Sequence, residues 1–124
     1  MSQSLADVAV FEFDVPVKAT YTLNSRLHWA ERKRLVEQER RMVWLRFPKQ
    51  FVGMMREPNA TAVIKLTRIG PREMDSDNVQ GALKAIRDEI ALRLGLDDGD
   101  KRYTWEYEQR IGHYCVEIAG RISK

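Results

Sequence analysis

Five aspartates in two short blocks are the residues of this chain best suited to chemistry. The first block is Met74-Asp75-Ser76-Asp77-Asn78 and the second is Leu96-Asp97-Asp98-Gly99-Asp100. Like charges held at close range are unfavourable unless a proton or a cation relieves them. A hard divalent cation with oxygen ligands gives that relief, and Mg²⁺ is the usual occupant when a phosphate is the substrate. The stretch between the blocks decides how they meet. At roughly 100° per residue, Val79, Leu83, Ile86, Ile90 and Leu94 fall on one face of a helix. Asp77, Gly81, Lys84 and Asp88 fall on the opposite face, within about 60° of one another. One face would pack, and the other would present two carboxylates and an amine in a row.

Each part also has a plainer explanation. Asp75 or Asp77 could be an N-cap, accepting hydrogen bonds from the first free amides of the helix. Lys84 and Asp88, four apart, could be a surface ion pair. Asp97-Asp98-Gly99-Asp100 could be a polar turn. None of these accounts for so many acids around one short helix in a chain whose net charge is +3. Other metal chemistries match less well. A calcium loop counted from Asp75 would need an acid or amide at its fifth position and Gly at its sixth, where Val79 and Gln80 stand. Zinc would call for clustered Cys and His, against a single Cys and two widely separated His. A Walker-type phosphate loop is absent, and no Ser or Cys has the spaced partners of a nucleophilic triad.

The elements that must position these residues follow from periodicity and breakers. Val8 to Val17 alternates loosely and is stopped by Pro16, which predicts a strand. Asn24 and Ser25 are good helix-start residues, and no Gly or Pro follows them until Pro48. Trp29, Val36 and Val43 recur every seven, widened by Leu35, Met42 and Leu45, so the segment reads as an amphipathic helix with a basic outer face. Phe51 to Asn59 is a connector. Thr61 to Ile69 is a second strand, ended by Gly70-Pro71. Asn78 to Leu94 is the second helix. Arg102 to Gln109 and Gly112 to Ile122 are expected to form a closing hairpin. The order β-α-β-α-β-β predicts an α/β (α+β) fold, a mixed sheet with helices on one face.

With 124 residues, 44% hydrophobic and 31% charged, the chain is expected to form one domain spanning 1–124. No apolar run approaches the roughly 18–20 residues of a membrane span, and Met1 to Ala9 lacks the features of a secretory signal. Cys115 reads as a packed thiol in a strand. A cytoplasmic location without membrane attachment is therefore expected. Charge is unevenly spread: eight Lys/Arg against three Glu lie between Arg26 and Lys49. A basic element beside an acidic one suits an enzyme that grips a polyanion and holds cations near the cut. A solvated helix face laced with pairs such as Glu37/Arg41 is the alternative.

These residues resemble the RusA family of Holliday junction resolvases, in particular its phage and prophage members. The resemblance rests on Asp75-Ser76-Asp77-Asn78, on Lys84 and Asp88 four apart, and on Leu96-Asp97-Asp98, with Leu23-Asn24-Ser25 and the basic helix before them. It spans residues about 20 to 105. It implies a homodimeric, Mg²⁺-dependent endonuclease that resolves four-way DNA junctions by paired nicks. It further implies that Asp75, Asp77 and Asp98 hold the metal and that a lysine assists. Asp88 and Asp97 are secondary acidic candidates. One departure stands out: the family's lysine follows the Asp-Asn pair by three residues, where this chain has Gly81. Lys84 lies about 4.5 Å further along and roughly 60° around the helix, a gap that a long side chain can cover.

Arg26, Arg32, Lys33, Arg40 and Arg72 are the candidates for phosphate contacts, which position DNA without reading sequence. Trp29 is expected in the core, His28 as a local hydrogen-bonding partner, His113 as structural, and Trp105 in packing between Tyr103 and Tyr107. Two alternatives to junction resolution stay open. One is a nuclease acting on other branched DNA; the other is a DNA-binding module of the same fold without cleavage.

Overall fold

The computed structural model of the protein describes residues 8–20 and 28–124. Strand β1 (Val8–Val15) is followed by helix α1 (Trp29–Arg46) and two 3-10 turns, Lys49–Phe51 and Met54–Arg56. Strand β2 (Thr61–Gly70) leads into helices α2 (Ser76–Ala82) and α3 (Lys84–Leu94), and strands β3 (Tyr103–Ile111) and β4 (Cys115–Ser123) close the chain. The sheet has the order β1-β4-β2-β3. β4 runs antiparallel to both β1 and β2, whereas β3 runs parallel to β2. This is the mixed α+β arrangement expected from the element order.

One expectation about the sheet is corrected. β3 and β4 are consecutive and joined by a short turn, yet they are not a hairpin, because β2 lies between them. The α2–α3 crossover returns the chain parallel to β2, as a crossover of that length permits, so β3 takes the free edge. The turn then passes over the end of β2, where the Gly112 N–H donates to the Gly70 carbonyl at 2.9 Å.

Period-two alternation puts Phe11, Val15, Ile64, Leu66, Val116, Ile118 and Ile122 into one apolar cluster with Val43 of α1, Val79 of α2 and Ile86, Ile90 and Leu94 of α3. The helices therefore cover one sheet face. The other face stays open and carries Glu12, Asp14, Glu106, Glu108 and Arg121. Close packing over the sheet also fixes Gly120: a Cβ there would lie 2.2 Å from the Phe11 ring. Among the described residues, no helix is long and apolar enough to cross a membrane.

Three local expectations change. The second helix starts at Ser76 rather than Asn78 and is interrupted at Leu83, whose backbone (φ −98°, ψ 1°) sits in the bridge region. The break follows Gly81 by two residues, the residue of weakest helical preference in the run. Leu83 N–H still donates to Val79 and its carbonyl still accepts from Arg87, at 3.0 Å each, so the apolar face stays in register. In α1 the inward stripe includes Glu39 as well as Val43. Trp29, expected in the core, is 72% exposed, and Leu45 is exposed too. The helix begins at Trp29 with His28 as its cap, so Trp29 lies in the first turn, ahead of the buried stretch. The His28 ring accepts from the Ala30 N–H at 3.2 Å, the local role expected of it. Asn24, Ser25 and Arg26 lie outside the described residues.

Candidate active site

Both acidic blocks are tied to the inward face of β3, by alternate side chains of that one strand. The Tyr103 hydroxyl donates to the Leu96 carbonyl at 2.9 Å, and the Trp105 indole N–H donates to the Asp98 carbonyl at 2.9 Å. Burial holds the Tyr103 phenol well above the usual tyrosine range, so it stays a donor. The Tyr107 hydroxyl accepts from Arg87 at 2.7 Å. Gln109 clamps the backbone of Met74, accepting from its N–H and donating to its carbonyl, each at 2.7 Å. The period of two aims all four at the helices; Gln109 pins Met74 at the start of the first block, Tyr103 and Trp105 pin Leu96 and Asp98 of the second, and Tyr107 holds Arg87 beside it.

The first block opens α2. Asp75 occupies the N-cap position, and its backbone carbonyl accepts from Asn78 and Val79 at 2.9 and 3.1 Å. Its carboxylate makes no capping hydrogen bond, so capping does not explain why an acid stands there. Asp77 is exposed in the first turn, with the Ser76 hydroxyl 3.4 Å away. Neither carboxylate takes part in an ion pair among the described residues. The approach to this block is held by Arg68, a buried cation whose Nε donates to the Ala19 carbonyl at 3.0 Å and whose Nη1 donates to the Arg72 carbonyl at 2.9 Å.

The second block follows the C-terminal cap of α3. Gly95 adopts φ +87° there, and the Arg56 side chain crosses so closely that a Cβ would lie 2.8 Å from Nε, so this position requires glycine. Asp97 and Asp100 behave as turn residues. Asp97 accepts from the Gly99 N–H at 3.1 Å and Asp100 from the Arg102 N–H at 2.9 Å. Asp98 is different. Its carboxylate accepts from Arg87 Nε at 2.9 Å, and its backbone carbonyl accepts from Arg87 Nη2 at 3.1 Å. The Arg87 guanidinium also lies over the Trp105 ring, 4.8 Å from its centroid.

Gly81, Lys84, Arg87, Asp98 and Tyr107 border a small cleft of about 240 Å³. A larger, adjoining cleft of about 540 Å³ carries Arg40, Arg56, Lys84, Asp88, Asp97 and Asp98. Lys84 thus reaches the same space as Asp98, and it pairs with Asp88 at 3.2 Å. Arg40 borders the larger cleft with its Nε held by Glu89 at 2.9 Å, in the contact between α1 and α3. Lys33 and Arg72 are exposed, and Arg32 is half-buried.

The donor types suit a hard divalent cation, since all three aspartates offer carboxylate oxygens. The arrangement suits it less. Among the described residues, no three His, Cys, Asp or Glu side chains are gathered into a group that could hold a metal ion, and the Asp98 carboxylate is committed to Arg87. The residues that reasoning from sequence passed over are Arg87, Gln109, Arg68 and Arg56. On a helical projection Arg87 falls at the border between the apolar face and the acidic row, which is the one signal that marks it. Comparison with models of known protein families gives no match, and no curated protein matches the chain either.

Proposed function

We propose that this protein is a structure-specific DNA endonuclease, requiring Mg²⁺, that resolves four-way junctions by paired symmetric nicks. The observation that carries the reading is the anchoring of both acidic blocks by alternate residues of β3, with the Asp75 carboxylate left free of the capping role its position offers. Asp75, Asp77 and Asp98 are the residues that would hold Mg²⁺. Bound there, the ion would activate a water and offset the charge growing on the scissile phosphate. Lys84, facing the same cleft as Asp98, supports that charge or the departing oxygen. Exposed cations outside the clefts, Lys33 and Arg72 among them, would grip the phosphate backbone. A homodimer would set two such sites on the two-fold symmetry of a junction. The resemblance to the RusA pattern supports the choice of substrate. A protein doing this work would act in the cytoplasm, on chromosomal or prophage DNA.

The test is cleavage of a synthetic four-way junction with Mg²⁺, beside a linear duplex of the same sequence and the Asp77→Asn variant. Symmetric nicks in the junction alone, lost in Asp77→Asn while junction binding persists, are the expected result. Cutting of flaps would keep the site and change the substrate. Tight binding without cutting under any divalent metal would leave a junction-binding module.

A further inference from the structure

Arg68 is only 4% exposed, at the end of β2, and takes part in no ion pair among the described residues. Its Nε and Nη1 donate to the Ala19 and Arg72 carbonyls, while Nη2 makes no hydrogen bond among the described residues and is not sealed from solvent. Tying two carbonyls together needs donors but no charge. Gln109, the neighbour of Arg68 across the β2–β3 pair, clamps both backbone groups of Met74 with a neutral amide. A buried guanidinium without a counter-charge is costly, so the charge at position 68 is what a structural strut leaves unexplained. The backbone is also held to it under strain: Ala19, whose carbonyl accepts from Arg68, adopts φ +48°, a conformation that L residues rarely take.

A second cation shares the same ring. Lys18 Nζ lies 5.4 Å and Arg68 Cζ 6.0 Å from the centroid of Tyr114, a side chain at the surface. Lys18 too is outside every ion pair among the described residues. The ring offsets part of each charge, but two cations drawn to one side chain are unfavourable together until an anion joins them. Their place is beside the first acidic block, since Arg68 holds residue 72 and Gln109 holds Met74, the residue before Asp75. We propose that Arg68 and Lys18 form a phosphodiester subsite that takes one phosphate of the DNA strand next to that block. The identity of the anion as DNA rests on the preceding reading. The Arg68 Nη2 group gives directed donors to a phosphate oxygen, and the Lys18 ammonium adds a point charge. Such a contact sets where the strand lies relative to Asp75 and Asp77 without reading its sequence.

The experiment follows junction binding by the full chain in Ca²⁺, by fluorescence anisotropy over a range of salt. Lys18→Ala is compared with Arg68→Gln, which loses the charge and keeps neutral donors, and with Arg121→Ala, which removes a cation from the open sheet face. The first two are each expected to weaken binding about three- to tenfold and to reduce the slope of log affinity against log salt by about 0.9. Arg121→Ala is expected to change neither. Junctions with a single methylphosphonate, scanned along the strands of one arm, locate the contact: one position weakens binding by the parent and leaves Lys18→Ala indifferent. Salt slopes unchanged in both subsite variants overturn the proposal, because a strut moves affinity or stability without removing a phosphate contact. Inorganic phosphate that competes for binding while no methylphosphonate position matters overturns it as well, since that marks a site for a small anion. Should Arg68→Gln not fold, Lys18→Ala, at an exposed position, decides alone. The two readings fail separately. A parent protein that does not bind the junction removes the preceding reading. Cleavage that Asp77→Asn abolishes, with salt slopes untouched in Lys18→Ala and Arg68→Gln, removes only the subsite.

Discussion

The two acidic blocks use the same residue type for opposite ends. At the start of α2, Asp75 stands in the capping position without capping, and Asp77 is exposed beside it. In the turn after α3, each carboxylate is engaged: Asp97 by the Gly99 amide, Asp98 by Arg87, and Asp100 by Arg102. The difference comes from what surrounds each block. The first is met by the backbone clamp of Gln109 at Met74, which leaves its side chains untouched. The second follows a left-handed glycine and is crossed by arginines from α3 and from the chain just beyond the turn. A carboxylate outside any ion pair at a fixed place is open to a ligand. One bonded into a turn shapes the backbone instead, and Asp98 stands between these roles because its partner is itself a cation at a cleft.

The comparison predicts unequal costs for equal substitutions. Asp98→Asn should lower stability by about 1–2 kcal/mol, because it leaves a partly buried guanidinium without its charged partner. Asp77→Asn should stay within about 0.5 kcal/mol of the parent, as exposed sites commonly do. Urea unfolding of the two variants side by side measures this. Equal losses would mean that the first block is as structural as the second, and the contrast would collapse.

A second variant probes the anchoring rather than the charges. Gln109→Ala removes both hydrogen bonds to Met74 and should cost about 1 kcal/mol. It should raise amide exchange at Met74 well above that of the β3 core while the 96–98 turn stays protected. Loosening of both blocks together would show that β3 holds them as one unit, and a silent substitution would mean that the loop is held by Arg68 alone.

Reasoning from the sequence reaches the parts of this picture that depend on local periodicity. Val79, Leu83, Ile86, Ile90 and Leu94 share a buried face because 3.6-residue spacing survives even the interruption at Leu83. The acidic blocks and the row through Lys84 and Asp88 are legible for the same reason. What depends on distant partners is not. The bonds of Arg87 reach 11 and 20 residues along the chain, and those of Gln109 reach 35. The misplaced hairpin has the same origin, since strand pairing is decided by which edge a crossover leaves free, and turn chemistry alone does not record it. Trp29 is exposed although it falls on the seven-residue repeat, because the repeat continues past the point where the helix leaves the core.

The smallest expected effect tests the contrast within the second block itself. Asp97 and Asp98 are neighbours of identical chemistry, and the proposed function puts the metal ligand on the second. Asp97 accepts one backbone bond, from Gly99 at 3.1 Å. Asparagine at 97 offers a side-chain carbonyl to that same amide, so Asp97→Asn should change stability by only about 0.3 kcal/mol. Junction cleavage should stay within about twofold of the parent, because the charge removed belongs to the turn. Asp98→Asn must then lose cleavage in the same assay. A variant at 97 as inactive as one at 98 would move the ligand to the first acid of the pair. Arg87 would then be a plain structural tie to Asp98.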